Sequence, residues 1–136
     1  MNFDKLYNLL MEEKEKVITV TKQIEIPINY TGKVIWPSEV LKGLFIPELH
    51  EWYENGEWHR TNGPARIFFG KLHNNARCWY IHGQRHREDG PAIERDNGNN
   101  EYFLNDKQYT EQNYKRELIR QGIIKDPSLS DVMDAI

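Results

Sequence analysis

Cys78, His82 and His86 stand four residues apart. On a helix that spacing would put a thiolate and two imidazoles on one face, a start toward a zinc site. The letters between them argue against a helix. His82-Gly83 reads as a turn, which sends His86 to the far strand of a hairpin, and two ligands still lack partners. No metal is expected. Nucleophilic catalysis fares no better, because Ser38, Ser128 and Ser130 have no recognisable base nearby. Cys78 precedes Trp79 in an expected strand, where a half-buried, inert thiol is the ordinary outcome. Glu88-Asp89 falls in a turn as a solvated pair, and "DNGNN" is a hairpin turn rather than a phosphate loop. The expectation is a protein that is not an enzyme and carries no cofactor.

A second kind of chemistry is written into residues 58–87. This window contains no Asp or Glu, but holds Arg60, Arg66, Lys71, Arg77, Arg85 and Arg87. Its formal charge is +6 in a chain of net −3, so the remainder carries −9. Tyr53, Trp58, Phe68 and Tyr80 are interleaved with these cations. Guanidinium forks beside aromatic faces suit a protein partner, or else a nucleic acid or small nucleotide. The candidate contact residues are Tyr53, Trp58, Arg60, Arg66, Arg77, Tyr80, Arg85 and Arg87. The opposing reading pairs these arginines with Glu51, Glu54, Glu88 and other acids, with Glu51 facing Arg60.

What positions them is a line written twice. "WYENGEWHRTNGPA" at 52–65 returns as "WYIHGQRHREDGPA" at 79–92, with eight of fourteen letters unchanged. Asn55-Gly56 is a strong hairpin signal, since a type I′ turn needs positive φ at both central residues. His82-Gly83 takes its place in the second copy, and Asn105-Asp106 in a degraded third, "EYFLNDKQYT". A two-residue turn sets the register. Trp52 then faces His59, Trp79 faces His86 and Tyr102 faces Tyr109, which predicts each imidazole packed on its indole. Tyr53, Tyr80 and Phe103 point to the other face, beside Trp58, Arg85 and Gln108. A second turn through Gly63-Pro64 or Gly90-Pro91 starts a third strand at 65–69 and 92–95. The structural positions of the repeat are thus Trp52, Gly56, His59, Gly63 and Pro64, then Trp79, Gly83, His86, Gly90 and Pro91. Units of this size cannot bury a face alone, so they are expected to stack on one continuous sheet.

The flanks differ. Residues 3–14 place Phe3, Leu6, Leu9 and Leu10 on one helical stripe, and "VITVTKQIEI" alternates as a strand. A short strand is expected at 34–36, with a helical turn capped by Ser38 and ended by Gly43. Thr110 caps an expected helix with Tyr114 and Leu118 on one side and Gly122 as its stop. Leu129, Val132, Met133 and Ile136 share a face of a last short helix. The expected fold is α+β: an antiparallel β-meander of stacked hairpin repeats (51–110), an N-terminal helix and strand section (1–50) and a C-terminal helical cap (111–136). No apolar run is long enough to span a membrane. The single Cys and the absence of a leader-like start point to the cytoplasm.

The W-Y-x-x-G-x-x-H-R-x-x-G-P-A pattern resembles a variant of the membrane occupation and recognition nexus repeat. Its His-Arg and Gly-Pro-Ala form resembles repeats found in proteins of large bacteriophages and giant viruses. The resemblance covers residues 51–110. It implies short β-hairpin units, a viral source, and a binding or scaffolding role such as attachment to a host protein, with no catalytic residues in common.

Overall fold

The computed structural model describes residues 16–20 and 25–126. The expected helices at 3–14 and 128–136, and the middle of the expected strand at 17–26, lie outside them. Among the described residues the chain is mostly short strands with a single α-helix. That is an α+β composition built on hairpins.

The turns form as their letters demand. Strands β5 (Leu49–Glu54) and β6 (Glu57–Trp58) pair Tyr53 with Trp58 and Glu54 with Glu57. His59 N–H then donates to the Trp52 carbonyl at 3.0 Å. Strands β9 (Tyr80–Ile81) and β10 (Gln84–Arg85) repeat this register with Tyr80 opposite Arg85, and His86 N–H donates to Trp79. Strands β12 (Tyr102–Leu104) and β13 (Lys107–Tyr109) pair Tyr102 with Tyr109. Both central residues of each turn have positive φ, from 46° at His82 to 80° at Gly56.

Two bonds tie each turn to the chain before it. Asn55 N–H donates to Thr31 Oγ1 at 2.9 Å, His82 N–H to His59 Nδ1 at 3.0 Å, and Asn105 N–H to His86 Nδ1 at 3.0 Å. The next amide along, at Gly56, Gly83 and Asp106, donates to the carbonyl of Tyr30, Trp58 and Arg85. Tyr30-Thr31 therefore holds the first turn as Trp58-His59 and Arg85-His86 hold the second and third.

The larger sheet has seven strands, six of them in the order β1 (Val17–Thr19), β2 (Gly32–Trp36), β5, β7 (Arg66–Phe68), β8 (Arg77–Cys78), β11 (Ile93–Glu94), with β6 on β5. Only the β1–β2 contact is parallel. The expectation of one continuous sheet is corrected: β9–β10 and β12–β13 are separate two-stranded ladders. Single bonds such as Arg60 N–H to the Tyr80 carbonyl join them to their neighbours. A break at Trp79 separates β8 from β9; the Trp79 amide donates to the Ala92 carbonyl, as the Trp52 amide does to Ala65 within the unbroken β5. Ala65 and Ala92 are wholly buried at equivalent positions.

The expected helical turn at 38–43 is also corrected. Residues 39–46 form a hairpin, β3 (Glu39–Leu41) and β4 (Leu44–Ile46), around Lys42-Gly43. Lys42 sits at φ 50° and Gly43 at φ 78°, the same turn geometry as at Asn55-Gly56. At the far end α1 (Glu111–Arg120) begins as expected: Thr110 Oγ1 accepts from Asn113 N–H. Tyr114 and Leu118 pack with Leu104 against Tyr102 and Tyr109. Tyr114 also donates its hydroxyl to the Arg87 carbonyl at 2.5 Å and accepts from Gly90 N–H.

Candidate functional site

The repeated letters build one device twice, and it differs from the expected aromatic–imidazole pair. The group lying on each indole is the next arginine. The guanidinium carbon of Arg60 sits 3.9 Å from the Trp52 ring centre, and that of Arg87 3.7 Å from Trp79. Each guanidinium also donates to a proline carbonyl, Pro64 or Pro91, and to the side chain two residues on, Asn62 or Asp89. Gly63 and Gly90 are needed for space. A Cβ there would stand 3.1 Å and 2.9 Å from the arginine carbon. His59 and His86 are freed from their Trp partners to hold the following turn.

That use of His59 decides the one metal-like cluster among the described residues. Glu54, His59 and His82 bring ligand atoms within 4.8 Å of one another. His59 Nδ1, however, accepts the His82 amide, so its proton lies on Nε2 and is donated to Glu54 at 2.9 Å. A metal on Nε2 would require an imidazole with no proton. The cluster is therefore explained by the turn it holds.

Of the residues singled out in the basic window, Tyr53, Trp58, Arg66, Tyr80 and Arg85 gather on one face, Arg60 and Arg87 lie over the indoles of the other, and most are already partnered. The Trp58 and Tyr80 rings meet at 5.1 Å, tilted by 58°, and Arg66 lies over Trp58 at 4.0 Å. Arg85 lies 4.2 Å over Phe103. Arg66 pairs with Glu51, Arg77 with Glu94 and Asp96, Arg85 with Asp106, and Arg87 with Asp89 and Glu94. Arg85 holds the Asp106 carboxyl below the usual carboxylate range, and Asn75 together with Arg77 does the same for Asp96. Arg60 and Lys71 alone of the six have no carboxylate among the described residues.

Glu51 is the hub of this face. It does not meet Arg60, as the register suggested, because the chain leaves the hairpin after His59 and β7 comes in beside β5. Only 3% exposed, Glu51 accepts from Trp36 Nε1, the Tyr53 hydroxyl and Arg66 Nε at 2.7–3.0 Å. Three donors are what a buried carboxylate requires. Burial, and then the Glu51 charge, push the Tyr53 hydroxyl up to about 12. Cys78, expected to be half-buried, is buried, and burial raises its thiol above the ordinary value. It is a poor nucleophile at neutral pH.

Hairpin β3–β4 is the surface that sequence reasoning missed. Val40, Leu44 and Phe45 are 70%, 71% and 64% exposed, and Leu41 and Ile46 are also open. At its base Ile46 and Pro47 join Trp36, Leu49 and Phe68 around an apolar groove of about 530 Å³. The signal was present: apolar pairs on either side of a Lys-Gly dipeptide. No helix among the described residues is long and apolar enough to cross a membrane. Comparison of the chain with protein families, with characterised proteins and with solved structures finds no match.

Proposed function

We propose that the chain is a non-enzymatic interaction protein. It is a short array of stacked hairpin units, encoded by a phage or virus, that attaches to a host protein in the host cytoplasm. The observation that carries this reading is the exposed apolar hairpin β3–β4. A two-stranded hairpin is marginal in water by itself, and a contiguous apolar patch at a protein surface marks a binding site. Behind it the repeated units form the frame, since each invariant letter makes an internal contact that rigidifies its neighbour. The resemblance of those units to viral and phage repeats supports the binding role and the source. The buried Cys78 fits a reducing compartment.

The test is capture of a partner by the tagged protein from a bacterial lysate, run beside Val40→Glu/Phe45→Glu. The expected result is a defined host protein held by the parent and lost by the double variant, with an unchanged melting curve. Capture that persists in the variant overturns the reading. So does a dimer in solution that the variant abolishes, because the hairpin would then serve a second copy of this chain.

A further inference from the structure

The two Trp–Arg devices each floor a groove, and the grooves differ in charge. The second is lined by Glu88 and Asp89, and Arg87 is neutralised by Asp89 at 2.9 Å and Glu94 at 3.1 Å. One repeat earlier the positions of Glu88, Asp89 and Glu94 are occupied by Thr61, Asn62 and Ile67. All three acids around the same guanidinium are gone. Among the described residues Arg60 donates only to the Asn62 amide oxygen and the Pro64 carbonyl.

Further cations gather there. Lys33 Nζ lies 4.8 Å from the Trp52 ring centre, and Lys16 lines the same groove, which is open to solvent and encloses about 580 Å³. Neither lysine has an ion pair among the described residues. The one carboxylate lining the groove, Glu54, is engaged by His59 Nε2. Resting on the reading of the chain as a protein-binding module, we infer that this first groove binds an acidic segment of the partner polypeptide, with Arg60, Lys33 and Lys16 as its cationic contacts.

The chemistry selects a peptide over a nucleic acid. Single-stranded nucleic acid needs an open aromatic face on which a base can stack. Trp52 is 6% exposed and carries both Arg60 and Lys33 on its ring, so it offers none. What remains is charge, and the free edge of a planar guanidinium suits a carboxylate. The second groove shares Arg60, Thr61 and Asn62 with the first, but its own end is walled by Glu88 and Asp89, which disfavours the same ligand there.

The molecule supplies its own control. Thr61→Glu/Asn62→Asp writes the second repeat's letters into the first, where the second copy shows that they fit beside the same Trp–Arg stack. The probe is a labelled short peptide of alternating Asp and Glu, followed by fluorescence anisotropy at low salt. The parent should bind it saturably and more weakly as salt rises. The swap should weaken binding about tenfold or more without moving the melting temperature, and Lys33→Gln should weaken it less. No binding by the parent, or binding indifferent to the swap, overturns the inference. Tighter binding of oligothymidylate than of the peptide also overturns it. If peptide binding fails while hairpin-dependent capture survives, only the groove assignment falls. If capture fails while peptide binding holds, the host-protein reading falls and the acidic-peptide groove stands.

Discussion

Gly63 and Gly90 have no positive φ to justify them; they are small because an arginine lies where a methyl would go. Alanine at either position should displace the guanidinium from its indole and from its proline carbonyl. The expected loss is about 1–2 kcal/mol, from one cation–π contact and one hydrogen bond. Gly90→Ala should cost more than Gly63→Ala, because Arg87 also holds Asp89 and Glu94. Urea melts of the two variants check both the size and the order. His59→Phe keeps a ring but removes the Nδ1 acceptor, so the His82 amide should exchange faster with solvent while the Tyr80 amide does not. Equal exchange in parent and variant would refute the assigned role. That the repeated histidine matters was legible in the letters, but its partner was not. The imidazole bonds forward to the next turn, 23 residues on, and a register computed within one hairpin does not reach that far.

Turns were the most legible elements, since a two-residue connection with positive φ at both positions leaves one register. They are nonetheless unequal. At Gly56 an added Cβ would collide with the Ile28 carbonyl oxygen, whereas at Gly83 the nearest atom is Glu57 Cβ at 3.8 Å. Gly83→Val should cost the backbone strain alone, about 1–2 kcal/mol. Gly56→Val should cost distinctly more, and thermal melts should separate the two. In α1, Glu117 accepts from Arg120 and Gln121, and its carboxyl is lowered to about 2. A lowered folded-state value means stability that is present above the unfolded carboxylate's titration and lost as pH falls through about 4.5 toward 2. Helicity should therefore decline over that acid range, and Arg120→Gln should remove this component of the decline. Hairpin β3–β4 escaped the sequence because Lys at a left-handed position is unusual, and Ser38 and Gly43 imitate the two ends of a helical turn.

Charge is where whole-chain arithmetic and structure diverge most. Residues 58–87 sum to +6 along the sequence, yet folding brings Glu51, Asp89, Glu94, Asp96 and Asp106 onto four of those cations. The acids come from outside the window, by strand pairings such as β8 with β11. Charge counted along a chain cannot register charges met across a sheet. A labelled single-stranded oligonucleotide should accordingly show no shift at physiological salt, where a free strip of six cations would hold it. The fold class was readable from turn chemistry and periodicity, as were the helix cap at Thr110 and the third strands of each unit. The acids paired with Arg66, Arg77, Arg85 and Arg87, and the lack of one at Arg60 among the described residues, needed coordinates.

The bonds that hold one turn to the unit before it are the same at each junction: an acceptor side chain, then a carbonyl, on two successive amides. Such a junction does not know its place in the series. A segment copied from His59 through Arg85 and spliced in tandem would meet, at both seams, the acceptors and donors it already uses. Duplication of that segment would thus call for no new kind of junction. After the last turn the bonds change: Tyr114 closes the unit through Arg87 and Gly90.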